Sequence, residues 1–245
     1  MPLFDDMENH KPVGSAFGFS ATRIGSLGAS EYTLVGLVVD CSGSVAGYRL
    51  EEEKAIKEIV SACRRSPRAD NLMLRFTRFD SRVAEVHGFK LLQSCNPGDY
   101  DGSIVVGGAT ALFDAAVDGV GALAQYGNDL QKNEMGANGI LFVITDGDNN
   151  AGSMTANEVK LAVERALKAE NLESLITILI GVNLSPSCSH YLADFASTAN
   201  FTQFVNIGDA DEKTLARLAA FVSKSISSQS QALGTGGPSQ ALPTF

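Results

Sequence analysis

Three segments of the chain are almost continuously apolar and rich in β-branched residues: 32–40, 139–146 and 175–181. Runs of this kind are typical of strands that are buried on both faces of a parallel sheet. The first two runs end on an aspartate, Asp40 and Asp146. We therefore predict three interior strands, two of which end in a carboxylate.

Apolar residues recur at helical spacing in four stretches between and after these runs, namely 55–63, 112–124, 159–167 and 215–222, and a shorter helix is predicted over 189–197. The segments 72–79 and 83–87 carry alternating polar positions around a short turn, which predicts a hairpin near a sheet edge, and 201–206 is the predicted last strand. Strands that alternate with helices predict an α/β fold with an open, mostly parallel sheet and helices on both faces.

The two ends of the chain differ in composition from its middle. Residues 1–30 are rich in Gly and Ser with few apolar positions, and we expect an N-terminal extension that adds one short strand. Residues 226–245 carry no charged side chain and are rich in Ser, Gln, Gly and Pro, which is typical of a flexible tail. The predicted domain therefore covers residues 31–225.

Charge and hydropathy narrow the classes of partner. The 245 residues include 19 Lys and Arg against 28 Asp and Glu, a formal net charge of −9, which argues against a nucleic-acid partner. No apolar run approaches the roughly 18 residues of a membrane span, so no membrane association is expected. The first residues resemble no secretion signal, and we expect a cytoplasmic location.

The four cysteines, Cys41, Cys63, Cys95 and Cys188, are scattered and form no CxxC motif. This pattern predicts reduced structural thiols, which agrees with a cytoplasmic location. Because Cys41 lies in a conspicuous loop, a nucleophilic role is an alternative. No histidine is near it in sequence to activate the thiol, which favours the structural role.

Oxygen-bearing side chains follow the strands that end in aspartate. Asp40, Ser42 and Ser44 share one loop, Thr110 precedes a predicted helix, and Asp146 ends the second central strand. Because the carboxyl ends of parallel strands meet at one edge of a sheet, we expect these five groups to converge. An all-oxygen site suits Mg²⁺, Mn²⁺ or Ca²⁺ and argues against zinc, which prefers nitrogen and sulfur.

Each of these groups also has a simpler interpretation. Asp40, Ser42 and Ser44 could cap the following helix, because Ser and Asp are common N-cap residues. Asp148 could belong only to a turn with the asparagines after it, or lie at the rim of the site. Asp114 could be a first-turn helix residue or a group that orients the Thr110 loop.

The order Asp40-x-Ser42-x-Ser44, then Thr110 within Gly-Gly-Ala-Thr, then Thr-Asp146-Gly resembles the metal-ion-dependent adhesion site of the von Willebrand factor type A domain family. The resemblance covers about residues 31–225. It implies a Rossmann-like, doubly wound sheet with one antiparallel edge strand and a bound Mg²⁺ or Mn²⁺, with Ca²⁺ less favoured. By this resemblance the two serines coordinate the ion directly, and the threonine and both aspartates do so directly or through water.

Members of this family usually bind proteins rather than catalyse, so we expect no enzyme. The leading hypothesis is an adaptor module that captures an Asp or Glu carboxylate of a partner protein at the ion. Intracellular members often act beside ATPases, kinases or phosphatases, which are the partner classes implied here. The alternatives are a Mg²⁺-dependent hydrolase or nucleotide-processing enzyme, with Asp148 or Asp114 as the base, and a scaffold whose loops the metal braces.

Overall fold

The computed structural model describes residues 6–12, 17–235 and 245. Within this part of the chain, eight strands form one sheet: β1 (Met7–His10), β2 (Phe19–Thr22), β3 (Glu31–Asp40), β4 (Leu72–Phe79), β5 (Val83–Leu91), β6 (Gly136–Thr145), β7 (Leu175–Gly181) and β8 (Gln203–Asn206). Five helices accompany them: α1 (Arg49–Arg64), α2 (Leu112–Gln131), α3 (Ala156–Lys168), α4 (Pro186–Thr198) and α5 (Glu212–Thr235). The strand order is β1-β2-β5-β4-β3-β6-β7-β8, with β4, β3, β6, β7 and β8 parallel. The predicted α/β fold is confirmed.

Strand β3 lies inside the parallel part, between β4 and β6. Its side chains alternate between two apolar clusters. Val35 and Leu37 pack with residues of α1 and α5, whereas Leu34 and Val38 pack with residues of α2, α3 and α4. The prediction of an interior strand buried on both faces is therefore confirmed, and the end of this strand opens at the edge where ligands bind in such sheets.

The expected antiparallel pair is present, and the sheet continues beyond it. Strands β4 and β5 form the antiparallel hairpin, β2 then pairs in parallel with β5, and β1 pairs antiparallel with β2. The N-terminal extension thus adds two strands rather than one. Strand β2 can approach β5 closely because Gly88 has no side chain, and a Cβ there would collide with the carbonyl oxygen of Ser20.

A buried ion network ties this edge to the rest of the domain. The Arg75 guanidinium on β4 lies 2.8 Å from a carboxylate oxygen of Asp118 on α2 and 2.8 Å from one of Glu85 on β5. Glu85 also accepts hydrogen bonds from the backbone N–H and the hydroxyl of Ser20 on β2, at 3.0 and 2.6 Å. One arginine therefore links three strands and a helix.

The C-terminal helix continues past residue 225, where the predicted tail begins. Helix α5 continues to Thr235, and Ile226 and Ala232 are 1% and 3% exposed. The flexible tail predicted from residue 226 is therefore wrong as far as Thr235, because this stretch packs as a helix in spite of its polar composition. Residues 236–244 lie outside the described residues, and the division of the chain into three parts stays a prediction.

The four cysteines are free thiols and all are buried. Their predicted role as reduced structural residues agrees with this placement. Among the described residues, no helix is both long enough and apolar enough to cross a membrane.

Candidate metal centre

The loop after β3 folds back on itself directly after Asp40. The backbone N–H of Ser42 donates a 2.8 Å hydrogen bond to Oδ1 of Asp40, which is a typical aspartate turn. The N–H of Val45 bonds to the carbonyl of Ser42 at 3.1 Å and begins a short 3₁₀ turn. As a result, the hydroxyl oxygens of Ser42 and Ser44 lie 3.1 Å apart.

Two side-chain hydrogen bonds join this loop to the end of β6. The hydroxyl of Ser44 donates to Oδ1 of Asp146 at 2.7 Å, and the hydroxyl of Thr145 donates to Oδ2 of Asp40 at 2.6 Å. Strands β3 and β6 are neighbours in the sheet, so residues far apart in sequence meet here. Four of the five predicted ligands therefore lie in one connected network.

The fifth predicted ligand, Thr110, lies in a loop that contacts both the loop after β3 and the loop after β6. Its backbone N–H donates to the side-chain oxygen of Asn150 at 2.7 Å, and the N–H of Gly43 bonds to the carbonyl of Gly108 at 3.3 Å. A Cβ placed on Gly147 would lie 3.8 Å from the Thr110 hydroxyl oxygen. The Thr110 hydroxyl thus lies beside Gly147, the residue after Asp146. The loop after β3, the loop after β6 and the loop that carries Thr110 therefore converge as predicted.

Burial concentrates negative charge under this network. Asp40 is 1% exposed, and burial raises its pKa to about 6, with the charge of Asp146 adding to the effect, while hydrogen bonds from Thr145 and Ser42 oppose it. Glu52, in the first turn of α1, is 4% exposed, and within the described part of the chain its Oε2 has no hydrogen-bond partner. Burial, and then the charges of Asp40 and Asp146, raise the pKa of Glu52 well above its usual range. A bound cation would relieve this repulsion.

The donor set fits a small divalent ion that accepts neutral oxygen ligands. It consists of two aspartates and three hydroxyl groups, with no nitrogen or sulfur. In the described ranges, no three His, Cys, Asp or Glu side chains meet closely enough to hold a metal by themselves. The hydroxyl groups are therefore needed for any ion here, which suits Mg²⁺ or Mn²⁺ better than zinc. That these five residues bind an ion stays a prediction.

The two less certain aspartates have different positions. Asp114, at the start of α2, accepts backbone hydrogen bonds from Ser153 at 2.9 Å and from Met154 at 2.8 Å. It therefore holds the loop after β6 against α2, which agrees with an orienting role. Asp148 is exposed and takes no part in the hydrogen-bond network; its charge adds to burial in raising the pKa of the Cys188 thiol on α4, so it lies at the rim.

Two alternative interpretations of the loop after β3 are wrong. Helix α1 begins after Tyr48 with no side-chain cap, so Asp40, Ser42 and Ser44 do not cap it. The thiol of Cys41 is 2% exposed and donates to the carbonyl of Phe79 at 3.4 Å. Burial raises the pKa of this thiol to about 12, which excludes a reactive thiolate at neutral pH.

Several residues of the site were not singled out from the sequence. Thr145 directly precedes Asp146, and Glu52 looks like an ordinary acidic residue in a first helical turn. The side-chain oxygen of Asn149 accepts the backbone N–H of Phe113 at 3.1 Å, beside the similar bond from Asn150 to the Thr110 loop. In the sequence, the consecutive asparagines were the available signal for these contacts with the Thr110 loop and α2, but such a pair is equally typical of a turn.

No protein-family model matches the sequence, and no curated protein matches it. Solved structures do share its fold. A D319A mutant of the PilB minor pilin from Streptococcus sanguinis has a TM-score of 0.62 at 12% identity, covering 89% of this chain and 66% of the pilin. The pilus adhesin SpaC from Lactobacillus rhamnosus GG has a TM-score of 0.58 at 14% identity, covering 79% of this chain and 31% of the adhesin.

Proximal thread matrix protein 1 from the mussel byssus, in a structure with a zinc-occupied MIDAS motif, has a TM-score of 0.49 at 19% identity. The match covers 79% of this chain and 45% of that protein. The chain thus spans about two thirds of the PilB structure and under a third of SpaC, and it shares with both a mostly parallel α/β fold.

Proposed function

We propose that this chain is a metal-dependent protein-interaction module, which binds an Asp or Glu carboxylate of a partner protein at a divalent ion, Mg²⁺ or Mn²⁺. Asp40, Ser42, Ser44, Thr110 and Asp146 would hold the ion. The observation that carries the proposal is the side-chain network from Ser42 through Ser44 to Asp146, at 3.1 and 2.7 Å, across the carboxyl ends of two adjacent strands.

The hydrogen bonds leave the oxygens that the ion needs available. Ser44 donates its only proton to Asp146, so the hydroxyl of Ser42 donates to Ser44, and both lone pairs of Ser42 and one of Ser44 remain free to accept a cation. Asp40 is fixed by Thr145 and by the backbone of Ser42, so its carboxylate requires little rearrangement. When bound, the ion would supply a positive charge that a carboxylate of another protein can reach.

A binding role is favoured over hydrolysis because the chain lacks a suitably placed base among the candidates. Asp114 uses both carboxylate oxygens to accept backbone N–H groups, and Asp148 lies outside the network against Cys188. A general base must be within hydrogen-bond reach of the group that it activates. The ATPase, kinase or phosphatase class of partner and the cytoplasmic location stay predictions.

The test is capture of a partner from native lysate on the immobilised chain. We expect capture to be lost with EDTA, restored by added Mg²⁺ or Mn²⁺, and lost in Asp146→Asn. Asp148→Asn is the matched control, because this aspartate lies nearby but outside the network, and it should bind as the unaltered chain does. Capture that EDTA does not change would contradict the proposal, and a partner-independent stabilisation by the ion would favour a metal-braced scaffold.

A further inference from the structure

Five large apolar side chains are exposed in the described residues, and two of them lie on segments that adjoin the loops of the candidate metal centre. Leu50 is 62% exposed and Val105 is 55% exposed. Leu50 is the second residue of α1, which begins just after the loop that carries Ser42 and Ser44. Val105 lies two residues before Gly107, whose N–H bonds to the carbonyl of Cys41 in that loop at 2.9 Å.

Hydrogen bonds place these two side chains on adjacent segments. Leu50 and Glu53 lie one turn apart on the same face of α1. The Glu53 carboxylate accepts the backbone N–H groups of Gly102 at 3.2 Å and Ile104 at 3.1 Å. The segment that carries Val105 therefore lies along the face of α1 that carries Leu50, on the side nearer the metal centre.

This segment is held in place, so the exposure of Val105 does not come from a loose loop. The carbonyl of Ser103 accepts a hydrogen bond from the Arg78 guanidinium at 2.8 Å. Ile104 is 1% exposed and packs into the core. Between Ser103 and Gly107, both of which are hydrogen-bonded, Val105 presents its side chain to solvent from a fixed backbone.

Two cationic side chains border the same region. Arg49 precedes Leu50, and Arg82 follows Ser81, whose hydroxyl accepts the N–H of Ala109 at 2.8 Å in the Thr110 loop. Both arginines are exposed, and in the ranges that the structure describes neither guanidinium makes an ion pair or a hydrogen bond. In a chain of net charge −9, unpaired cations at this rim favour an acidic occupant.

We propose that Leu50 and Val105 form the apolar part of the partner-binding surface, and that the captured segment carries a large apolar residue within a few positions of its metal-binding Asp or Glu. This inference rests on the proposed function, because the carboxylate at the ion fixes where the segment lies. The segment that carries Val105 is joined to the loop that carries Ser42 and Ser44 by the hydrogen bond from the Gly107 N–H to the Cys41 carbonyl. Covering it with one leucine-sized side chain corresponds to about a tenfold gain in affinity.

The test is selection from a random heptapeptide display library on the full chain in Mg²⁺, followed by calorimetry with synthetic copies of the selected peptides. The comparison variant combines Leu50→Ser with Val105→Ser, both exposed positions at which folding should be retained. Leu167→Ser on α3, at a 48% exposed position, is the matched control. Asp146→Asn separately tests the metal centre.

We expect Mg²⁺-dependent peptides with an Asp or Glu next to large apolar residues, and about tenfold weaker binding to the double variant than to Leu167→Ser. Acidic, Mg²⁺-dependent peptides without apolar neighbours, or equal binding to the double variant, would overturn this inference alone. Peptides that bind equally in EDTA and to Asp146→Asn would overturn the proposed function, and this inference with it.

Discussion

The hydroxyl of Thr145 donates a 2.6 Å hydrogen bond to Oδ2 of the buried Asp40, across two adjacent parallel strands. The register of the sheet, in which Val39 pairs with Ile144, brings the two residues together. The orientation of the aspartate is therefore set by the sheet itself and does not wait for an ion. A ligand that is oriented beforehand requires less ordering when a cation binds.

Replacing Thr145 by valine should remove its hydrogen bond to Asp40 while keeping the packing of the side chain. Thr145→Val keeps the shape but leaves a buried carboxylate oxygen without its donor, and should cost about 1–3 kcal/mol in the free energy of unfolding. The affinity for Mg²⁺ should fall as well. Thr33→Val is the matched control on β3, because the buried hydroxyl of Thr33 has no partner within the described residues. Urea denaturation and calorimetric Mg²⁺ titration of both variants measure the difference, and equal behaviour would contradict the assigned role.

Addition of a divalent ion should stabilise the folded chain. At a free Mg²⁺ concentration about 100 times its Kd, the free energy of unfolding should rise by about 2.7 kcal/mol, because only the folded state brings the ligands together. Asp146→Asn should abolish this rise, and Asp148→Asn should retain it. Thermal denaturation at a series of Mg²⁺ and Mn²⁺ concentrations measures it, and stabilisation that survives in Asp146→Asn would place the ion elsewhere.

Gly88→Ala should detach the N-terminal strands. The added methyl group would collide with the carbonyl of Ser20, so β2 must move away from β5, at a cost of about 1–3 kcal/mol. Hydrogen exchange at 19–22 should accelerate. Gly25→Ala, at a position with no atoms within 4 Å of the new methyl, is the control and should behave as the unaltered chain does. Unchanged protection of β2 in Gly88→Ala would show that the strand pairing does not need this contact.

His87 should make stability depend on pH. Its Nδ1 donates to the carbonyl of Gly88 at 2.9 Å, its Nε2 accepts from the Tyr100 hydroxyl at 2.8 Å, and burial, then Lys90, lowers its pKa to about 4. Between about pH 6.5 and 4 the unfolded chain binds a proton that the folded chain does not, so folding weakens as pH falls.

The expected slope from His87 alone is at most about 1.4 kcal/mol per pH unit, levelling off below the folded pKa. Other groups also titrate in this range, so the quantity to measure is the difference in unfolding free energy between the unaltered chain and His87→Gln. The unfolding free energy of the unaltered chain should fall relative to that of His87→Gln as the pH is lowered from 7 to 4. A difference that is constant with pH would mean that His87 is not responsible.

The central strands and the meeting of Asp40 and Asp146 could be predicted because their signals are local. Leu34 and Val35 point to opposite faces of the sheet and both are buried, so an uninterrupted apolar run marks the strand. Asp40 and Asp146 follow such runs directly, and parallel strands bring their ends together. Neither inference needs knowledge of contacts between distant residues.

The features that could not be predicted depend on tertiary contacts. Ser225 and Ser230 are fully buried in α5, and the Ser225 hydroxyl bonds to the carbonyl of Phe221 at 2.9 Å, so polar residues line a packed helix. Strand β2 is placed by Glu85 and Gly88, which are distant from it in sequence. Glu52 has the sequence context of a solvated residue, and only the packing of α1 buries it.

The outermost strands of the sheet are short, and this bears on how the molecule meets other proteins. Strands β1 and β8 have four residues each, and their sequences include Glu8, His10, Gln203 and Asn206. Exposed strand edges are templates for pairing with another chain, and short polar edges blunt that tendency. Recognition by addition of a partner strand is thus disfavoured at both ends of the sheet. Under the proposed function, side chains at the carboxyl edge of the central strands, rather than backbone groups at the sides of the described sheet, would select what this chain binds.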